Sequence, residues 1–175
     1  MPRLDRSFCT YKNEKEMTKI LIISDTHGNH KLLRDVLLAN DDCEYLIHLG
    51  DEPDDLEFHP DLTESMQIFS VYGLYHDKWS TKNAVRKFSI SGVDFCISHA
   101  QEYLSMKEDN SISCFGHTHH RYFYQDGSKI FINPGHLKRE KDRGETAGYA
   151  IIELNEKPMV RFYDYKHKIV ELFGE

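Results

Sequence analysis

A chain of 175 residues, 39% hydrophobic and 12% aromatic, is long enough for one domain with a sizeable core and short for two. Ten Phe and ten Tyr make up for a modest apolar fraction, which excludes a disordered chain, and no uncharged apolar run approaches the roughly 18 residues of a membrane helix. The balance of 29 acids against 22 bases gives −7 at pH 7, which argues against a nucleic-acid groove and leaves acids to gather around cations.

Residues 1–17 are polar and lack the apolar centre of a signal peptide, so they read as a flexible leader with Met17 as an alternative start. Residues 18–175 then read as a single domain. Lys19-Ile20-Leu21-Ile22-Ile23 is a buried strand. Residues 31–38 have apolar side chains at helical spacing, with Asn29 placed to cap them, and Asn40-Asp41-Asp42 breaks the helix. Residues 45–49 are a second strand, and this strand–helix–strand opening predicts a parallel α/β sheet. Strands follow at 67–73, 84–90 and 93–98, the last two joined by the hairpin signal Ser91-Gly92. A strand at 111–115 precedes a second hairpin across Gln125-Asp126-Gly127-Ser128, and strands at 149–154 and 159–165 close the pattern. One α/β domain with two sheets fits best. Four cysteines, Cys9, Cys43, Cys96 and Cys114, form no C-x-x-C pair; Cys96 and Cys114 sit in apolar runs as buried thiols, which points to a reducing cytoplasm.

Eleven histidines are the unusual count, and ten of them lie between His27 and His136. Strand after strand delivers a metal-ligand residue type just past its end: Asp25 and His27, then Asp51, then His99, then His117 and His119. On extended backbone an i, i+2 pair such as Asp25/His27 or His117/His119 projects to one side, so both side chains can reach one ion. Sites in open α/β sheets lie beyond the carboxyl ends of the strands, where these residues would converge. Carboxylate plus imidazole without thiolate suits Mn2+, Fe2+ or Zn2+ better than Ca2+ or Mg2+. Two Asp and four His exceed the three or four protein ligands one catalytic ion takes, and fit two ions sharing a carboxylate. Such a pair suits phosphate-ester hydrolysis by hydroxide formed from a bridging water near neutral pH.

The ordered set Ser24-Asp25-Thr26-His27-Gly28-Asn29, Gly50-Asp51, His99, Gly116-His117-Thr118-His119 and Asn133-Pro134-Gly135 resembles the calcineurin-like metallophosphoesterase superfamily, in particular its short prokaryotic phosphodiesterase branch. The likeness runs from Ile20 to about Tyr165. It implies a four-layer α/β/β/α sandwich of two mixed sheets flanked by helices. It also implies a dinuclear centre in which Asp25, His27 and His119 hold one ion, Asp51 bridges, and His99 and His117 hold the other. Mn2+ is the favoured pair of ions, with Fe2+, Zn2+ and Ni2+ as alternatives. The implied activity is phosphodiester hydrolysis of a small-molecule phosphate ester by hydroxide held at Asp51 between the ions. No membrane partner is expected, and a homo-oligomer is left open.

Two departures bear on turnover. The family carries Gly-Asn-His-Asp/Glu or Gly-Asn-Cys-Asp after its third strand, with Asn a ligand of the second ion and His, where present, an acid to the leaving group. Here Gly73-Leu74-Tyr75-His76-Asp77 stands in that place. Leu74 cannot ligate, and His76 is a candidate leaving-group acid or substitute ligand, against a plain loop histidine paired with Asp77. Ser98-His99-Ala100-Gln101 also keeps one histidine where the family shows His-Gly-His. Leu74 favours an alternative: a weakly active or inactive scaffold for protein contacts, as in the retromer subunit of this superfamily.

Among the other histidines, His48 reads as a hydrogen-bonded core residue, His30 as structural or supporting, and His59, His120 and His167 as bystanders. His136, where the family has a small residue, is a candidate substrate contact. Asp54 and Asp55 are either orienting carboxylates or a solvated acidic loop, and Tyr122-Phe123-Tyr124 reads as strand packing.

Overall fold

The computed structural model describes residues 17–105 and 111–174, so the expected leader over 1–17 lies outside the described residues but for Met17. The chain runs β1 (Thr18–Ile23), α1 (His30–Ala39), β2 (Tyr45–His48), α2 (Pro60–Thr63), β3 (Gln67–Ser70), β4 (Val85–Ile90), β5 (Val93–Ser98), β6 (Ile112–Cys114), β7 (Arg121–Asp126), β8 (Lys129–Pro134), β9 (Lys141–Asp142), β10 (Glu145–Thr146), β11 (Gly148–Leu154), β12 (Met159–Asp164) and β13 (Ile169–Phe173). One sheet has the order β13-β12-β11-β1-β2-β3 and the other β4-β5-β6-β8-β7, with β9 and β10 forming a small ribbon of their own. Both large sheets are mixed. β1, β2 and β3 are parallel, as are β5, β6 and β8, with antiparallel strands completing each sheet.

Alternation along the strands explains the layering. Ile20 and Ile22 of β1 turn to the core between the sheets, where they meet Ile97, Ile112, Cys114 and Ile132 of the second sheet. Leu21 and Ile23 turn the other way, onto Leu33, Val36 and Leu37 of α1. α1 begins where expected, because the Asn29 side chain accepts from Leu32 N–H at 3.2 Å. The Ser91-Gly92 hairpin takes positive φ at both residues (50° and 82°), as a two-residue turn matched to strand twist requires. The expected sandwich of two mixed sheets thus forms, and its helices are few. A 3₁₀ turn (Pro53–Phe58) and α2 join α1 beside the first sheet. The connection between parallel β5 and β6 has one three-residue turn, Gln101–Tyr103, among the described residues. No helix among the described residues is long and apolar enough to cross a membrane.

Two parallel strands of each sheet end side by side, and main-chain bonds lock their exits together. Leu49 N–H donates to Ile23 O (2.9 Å), Asp25 N–H to Gly50 O (3.0 Å), and Gly116 N–H to His99 O (2.9 Å). These bonds gather the loops after β1, β2, β5 and β6 at one end of the sandwich.

Candidate metal centre

Those four loops carry all six residues singled out by spacing, and the structure brings them together. Asp25, His27, Asp51 and His119 each offer a ligand atom within 4.8 Å of the others. His27 Nε2 stands 3.3 Å from Asp51 Oδ2, and His99 Nε2 stands 3.3 Å from Asp51 Oδ1. His119 Nε2 lies 3.1 Å from Asp25 Oδ1, and His117 Nδ1 lies 3.2 Å from His99 Nε2. Two donor atoms each about 2.1 Å from one ion at a tetrahedral angle are about 3.4 Å apart, so these separations suit shared coordination. Asp51 thus presents one oxygen to each pair of rings.

The backbone shows how the loops are held. Asp25, His27, Asp51, His117 and His119 all adopt positive φ, between 47° and 66°. Non-glycine residues rarely do so, and each such residue costs about 1–3 kcal/mol, a strain that clusters at functional sites. Close packing takes glycines at the contact points: a Cβ at Gly73 would fall 1.8 Å from Asp51 Oδ1, and one at Gly116 would fall 2.0 Å from Ser24 Oγ.

Asp25 is fully buried. Its Oδ2 accepts from the Ser24 hydroxyl and from His117 N–H, while Oδ1 has no hydrogen-bond partner, the nearby His119 nitrogen lying off line. Burial pushes this carboxyl up, but His119, His99 and Ser24 outweigh it and hold the group below the usual Asp range. A buried, ionised carboxylate oxygen without a donor is costly unless a cation meets it. His119 Nδ1 is engaged by Asp142 Oδ2 at 2.6 Å, which leaves Nε2, 3.1 Å from Asp25 Oδ1, as the ring atom open to an ion. Burial lowers the His119 pKa, yet the two carboxylates more than reverse this, so a proton and a metal ion compete for Nε2. His99 is oriented in the same way, its Nδ1 donating to Leu49 O at 2.7 Å. Burial, aided by the charge of Lys138, keeps His27 below its ordinary pKa against the pull of Asp51, so its lone pair is free at neutral pH. Orphaned Asp25 Oδ1, carboxylates beside imidazoles, and rings fixed from behind form a donor set that fits divalent transition ions.

Several residues lie elsewhere than their candidate roles would place them. His76 stacks on Tyr72, with Nε2 3.5 Å from Asp54 and Nδ1 3.0 Å from Asp77, so its ion-pair partners are rim acids rather than any of the six. His136 is fully buried behind His119, its Nε2 3.3 Å from Glu145 O, out of reach of a substrate. Asp55 turns out to be a loop anchor: its Oδ2 accepts from Thr26 Oγ1 (2.6 Å) and Gly28 N–H (2.8 Å) and so shapes the turn that bears His27. Asp54 pairs with Lys78 at 2.9 Å on the rim. His48 is the buried, hydrogen-bonded histidine expected, accepting from Gly50 N–H.

Asp142 escaped sequence reasoning. It sits in the run Lys138-Arg139-Glu140-Lys141-Asp142-Arg143, which reads as a solvated charged turn. In the fold the β9–β10 ribbon buries it behind His119, where Arg139 holds its carboxyl well below the usual range. Arg143 donates to the carbonyls of His117 (3.0 Å) and Thr118 (3.4 Å) and so braces the other side of the same loop.

Comparison with known proteins identifies the family and the fold. The family model described as the calcineurin-like phosphoesterase superfamily domain matches residues 18–157. A Mycoplasma pneumoniae protein named "Probable metallophosphoesterase" is 27% identical over 154 residues, covering 80% of this chain and 92% of its own. Yfce, a phosphoesterase from E. coli, superposes with a TM-score of 0.69 at 18% identity over 89% of this chain and 98% of its own. A Vps29 from Entamoeba histolytica does so with a TM-score of 0.69 at 17% identity, over 90% and 99%. Family match, fold and site together place this chain in the calcineurin-like phosphoesterase superfamily, as a metallophosphoesterase.

Proposed function

We propose that the protein hydrolyses small phosphodiesters at a two-ion centre held by Asp25, His27, Asp51, His99, His117 and His119. The observation that carries this reading is Asp51, whose Oδ2 faces His27 and whose Oδ1 faces His99, each at 3.3 Å: one carboxylate shared between two sets of donors. Asp25, His27 and His119 complete one set, and His99 and His117 the other. A pair of divalent ions, Mn2+ by preference and Fe2+, Zn2+ or Ni2+ otherwise, supplies Lewis acidity toward phosphoryl oxygens and acidifies water at neutral pH. The chain's own part is to fix the donors. Asp142 and Leu49 O orient His119 and His99, Arg143 braces the His117 loop, and the strained backbone sets the ligand directions. His76 serves as leaving-group acid only for a substrate that reaches the Asp54–His76 pair on the rim. Buried Cys43, Cys96 and Cys114, none of them in a disulfide, accord with a cytoplasmic setting.

Protein stripped with chelator and reloaded with Mn2+ should hydrolyse bis-p-nitrophenyl phosphate. Asp51→Asn should lower kcat by about 10³-fold, because the shared carboxylate loses its charge. Turnover by that variant at the parent rate, or no turnover with Mn2+, Zn2+ or Mg2+, would overturn the assignment. Leu74 supports a second reading, a scaffold for protein contacts with one tight ion and little chemistry. It follows Gly73, which abuts Asp51, and carries no donor where the resemblance places one.

A further inference from the structure

The segment over 74–84 bridges the two sheets at the ligand end of the sandwich. It leaves β3, an edge strand of the first sheet, and enters β4, an edge strand of the second. Val71 N–H donates to His48 O at 3.1 Å, so β3 ends beside β2, the strand that leads to Asp51. Val85 pairs with Ser98 across β4 and β5, so β4 starts beside His99.

Trp79 sits midway along this bridge. Gly73, packed against Asp51, accepts from His76 N–H at 3.0 Å, and His76 O accepts from Trp79 N–H at 3.0 Å. Two such turns in succession keep the Trp79 Cα within about 14 Å of the Gly73 Cα. Opposite, the turn Gln101–Tyr103 follows His99 and Ala100 directly, with Tyr103 N–H donating to Ala100 O at 3.3 Å. The Trp79 and Tyr103 rings meet edge to face, their centroids 6.0 Å apart. A loop that touches Asp51 and a turn that follows His99 thus deliver one aromatic pair to the flank of the centre.

The pair is both fixed and open. The Asn83 side chain accepts from Ser80 N–H (2.7 Å) and donates to Lys78 O (2.8 Å), which holds the two peptides flanking Trp79. Lys78 pairs with Asp54 at 2.9 Å and ties the loop to the rim. Tyr103 is nevertheless 36% exposed and Trp79 half-buried. Tyr72, on the same loop, is stacked on His76 at 4.5 Å, whereas an edge-on pair leaves ring faces uncovered. Rigid aromatic faces open to solvent beside a site suit a planar group of a ligand.

We propose that Trp79 and Tyr103 form an aromatic wall of the substrate site, against which one ester group of the phosphodiester lays a planar ring. The wall makes the enzyme select ring-bearing esters, whether the ring is a nucleobase or an aryl group, over aliphatic ones. This rests on the phosphoesterase reading above and adds the substrate class to it.

Trp79 is the one tryptophan of the chain, so its emission reports the wall directly. Mn2+-loaded protein is titrated with adenosine 5′-phosphate, phenyl phosphate and ribose 5-phosphate, with excitation beyond the adenine band and affinities from calorimetry. Adenosine 5′-phosphate should change the Trp79 emission and bind about tenfold tighter than ribose 5-phosphate, which keeps sugar and phosphate but has no aromatic ring. A similar gain with phenyl phosphate assigns the wall to any aromatic ring; a gain confined to adenosine 5′-phosphate assigns it to nucleobases. Trp79→Leu and Tyr103→Leu should each cut the preference about threefold and leave ribose 5-phosphate binding unchanged, whereas a merely distorted loop would weaken both ligands. Tyr124→Leu, at an exposed tyrosine on the opposite edge of the second sheet, is the control and should leave the preference alone. Binding of both ring-bearing phosphates within twofold of ribose 5-phosphate, or a preference that the double variant retains, overturns the proposal. Failure to hydrolyse bis-p-nitrophenyl phosphate would instead defeat the phosphoesterase reading, while the wall would still stand or fall on the binding preference.

Discussion

Around Asp25 and His119 nearly every ligand atom is backed by a second contact, whereas around His99 and His117 the backing thins out. Asp25 is held by Ser24 and the His117 amide, and His119 by Asp142, itself gripped by Arg139. Both ligands are sealed from solvent, at 0% and 1% exposure. On the other side His99 is buried and braced by Leu49 O, while Gly73, which packs against Asp51, and Leu74 after it bring no donor side chain. The half around Asp25 therefore has three side chains of its own and a share of Asp51, and the other half has two and that share. On the two-ion proposal this difference means unequal grip on the two ions, because affinity follows the number of donors and the stiffness of what lies behind them.

The harshest way to probe this inequality is to remove a donor from each half. Asp25→Asn should leave close to no metal after dialysis and lower activity by about 10³-fold or more, since Asn brings no charge to balance a buried ion. His117→Ala should lose activity as well but retain about one ion per chain. Elemental analysis of the two dialysed proteins distinguishes these outcomes; equal retention of metal by both would mean that the halves are equivalent.

Asp142→Asn is the next largest. His119 keeps its place but loses the carboxylate that fixes its proton on Nδ1, and Mn2+ affinity should fall about 10–100-fold, with kcat recovering at saturating Mn2+. The pH dependence has a definite sign. His119 has a raised pKa, so as pH falls through that value a proton occupies Nε2 and metal is released. Removing Asp142 takes away one of the two carboxylates that raise it and should move the onset of metal loss to lower pH, even as affinity at high pH declines. A Mn2+ titration at stepped pH checks both.

The ligands of both halves are legible in the chain, whereas what stands behind them is not. Asp25, His27, Asp51, His99, His117 and His119 could be picked out because each follows an apolar strand whose period and length are plain, and because i, i+2 pairs recur. Asp142 had no such frame. β9 and β10 are two residues each, too short to leave a period, and burial of that carboxylate depends on a ribbon folding over a histidine some twenty residues earlier. β13 was missed for a related reason. It lies at a sheet edge with four of its five residues exposed, so its apolar residues are not sorted by face. Helix α1, by contrast, was clear, since Leu32, Leu33, Val36 and Leu37 mark a single buried stripe and Asn29 caps it. His76 shows the limit of motif matching: similar letters shifted by one residue met Asp54 and Asp77, and only coordinates reveal that displacement.

A gentler change works in the opposite direction, by supplying what the weaker half lacks. Leu74→Asn restores the amide that the family resemblance expects at the residue after Gly73, the glycine packed against Asp51. Mn2+ bound per chain at limiting concentration should rise from about one toward two, and kcat/KM for bis-p-nitrophenyl phosphate should rise about three- to tenfold. The half-buried Leu74 contributes little to the core, so folding should tolerate the exchange. Unchanged stoichiometry in this variant would mean that Leu74 does not limit the second ion.

The smallest effect concerns what joins the halves. His48 accepts from Gly50 N–H at 3.2 Å on the Asp51 side, and its other nitrogen lies 3.4 Å from Thr26 Oγ1 on the Asp25 side. It is fully buried, and burial, only partly countered by Asp25 and Asp55, lowers its pKa from 6.5 to about 4. The unfolded chain then binds the extra proton first as pH drops from 6.5 toward 4, so stability falls with acid across that window and is level above it. Between pH 7 and 4.5 this one ring should cost the metal-free protein about 2–3 kcal/mol. His48→Gln cannot titrate and should show that much less acid sensitivity in urea midpoints, although it starts less stable at pH 7 for want of the imidazole acceptor. If parent and variant lose stability in parallel as pH falls, His48 is not the acid-sensitive link between the two loops.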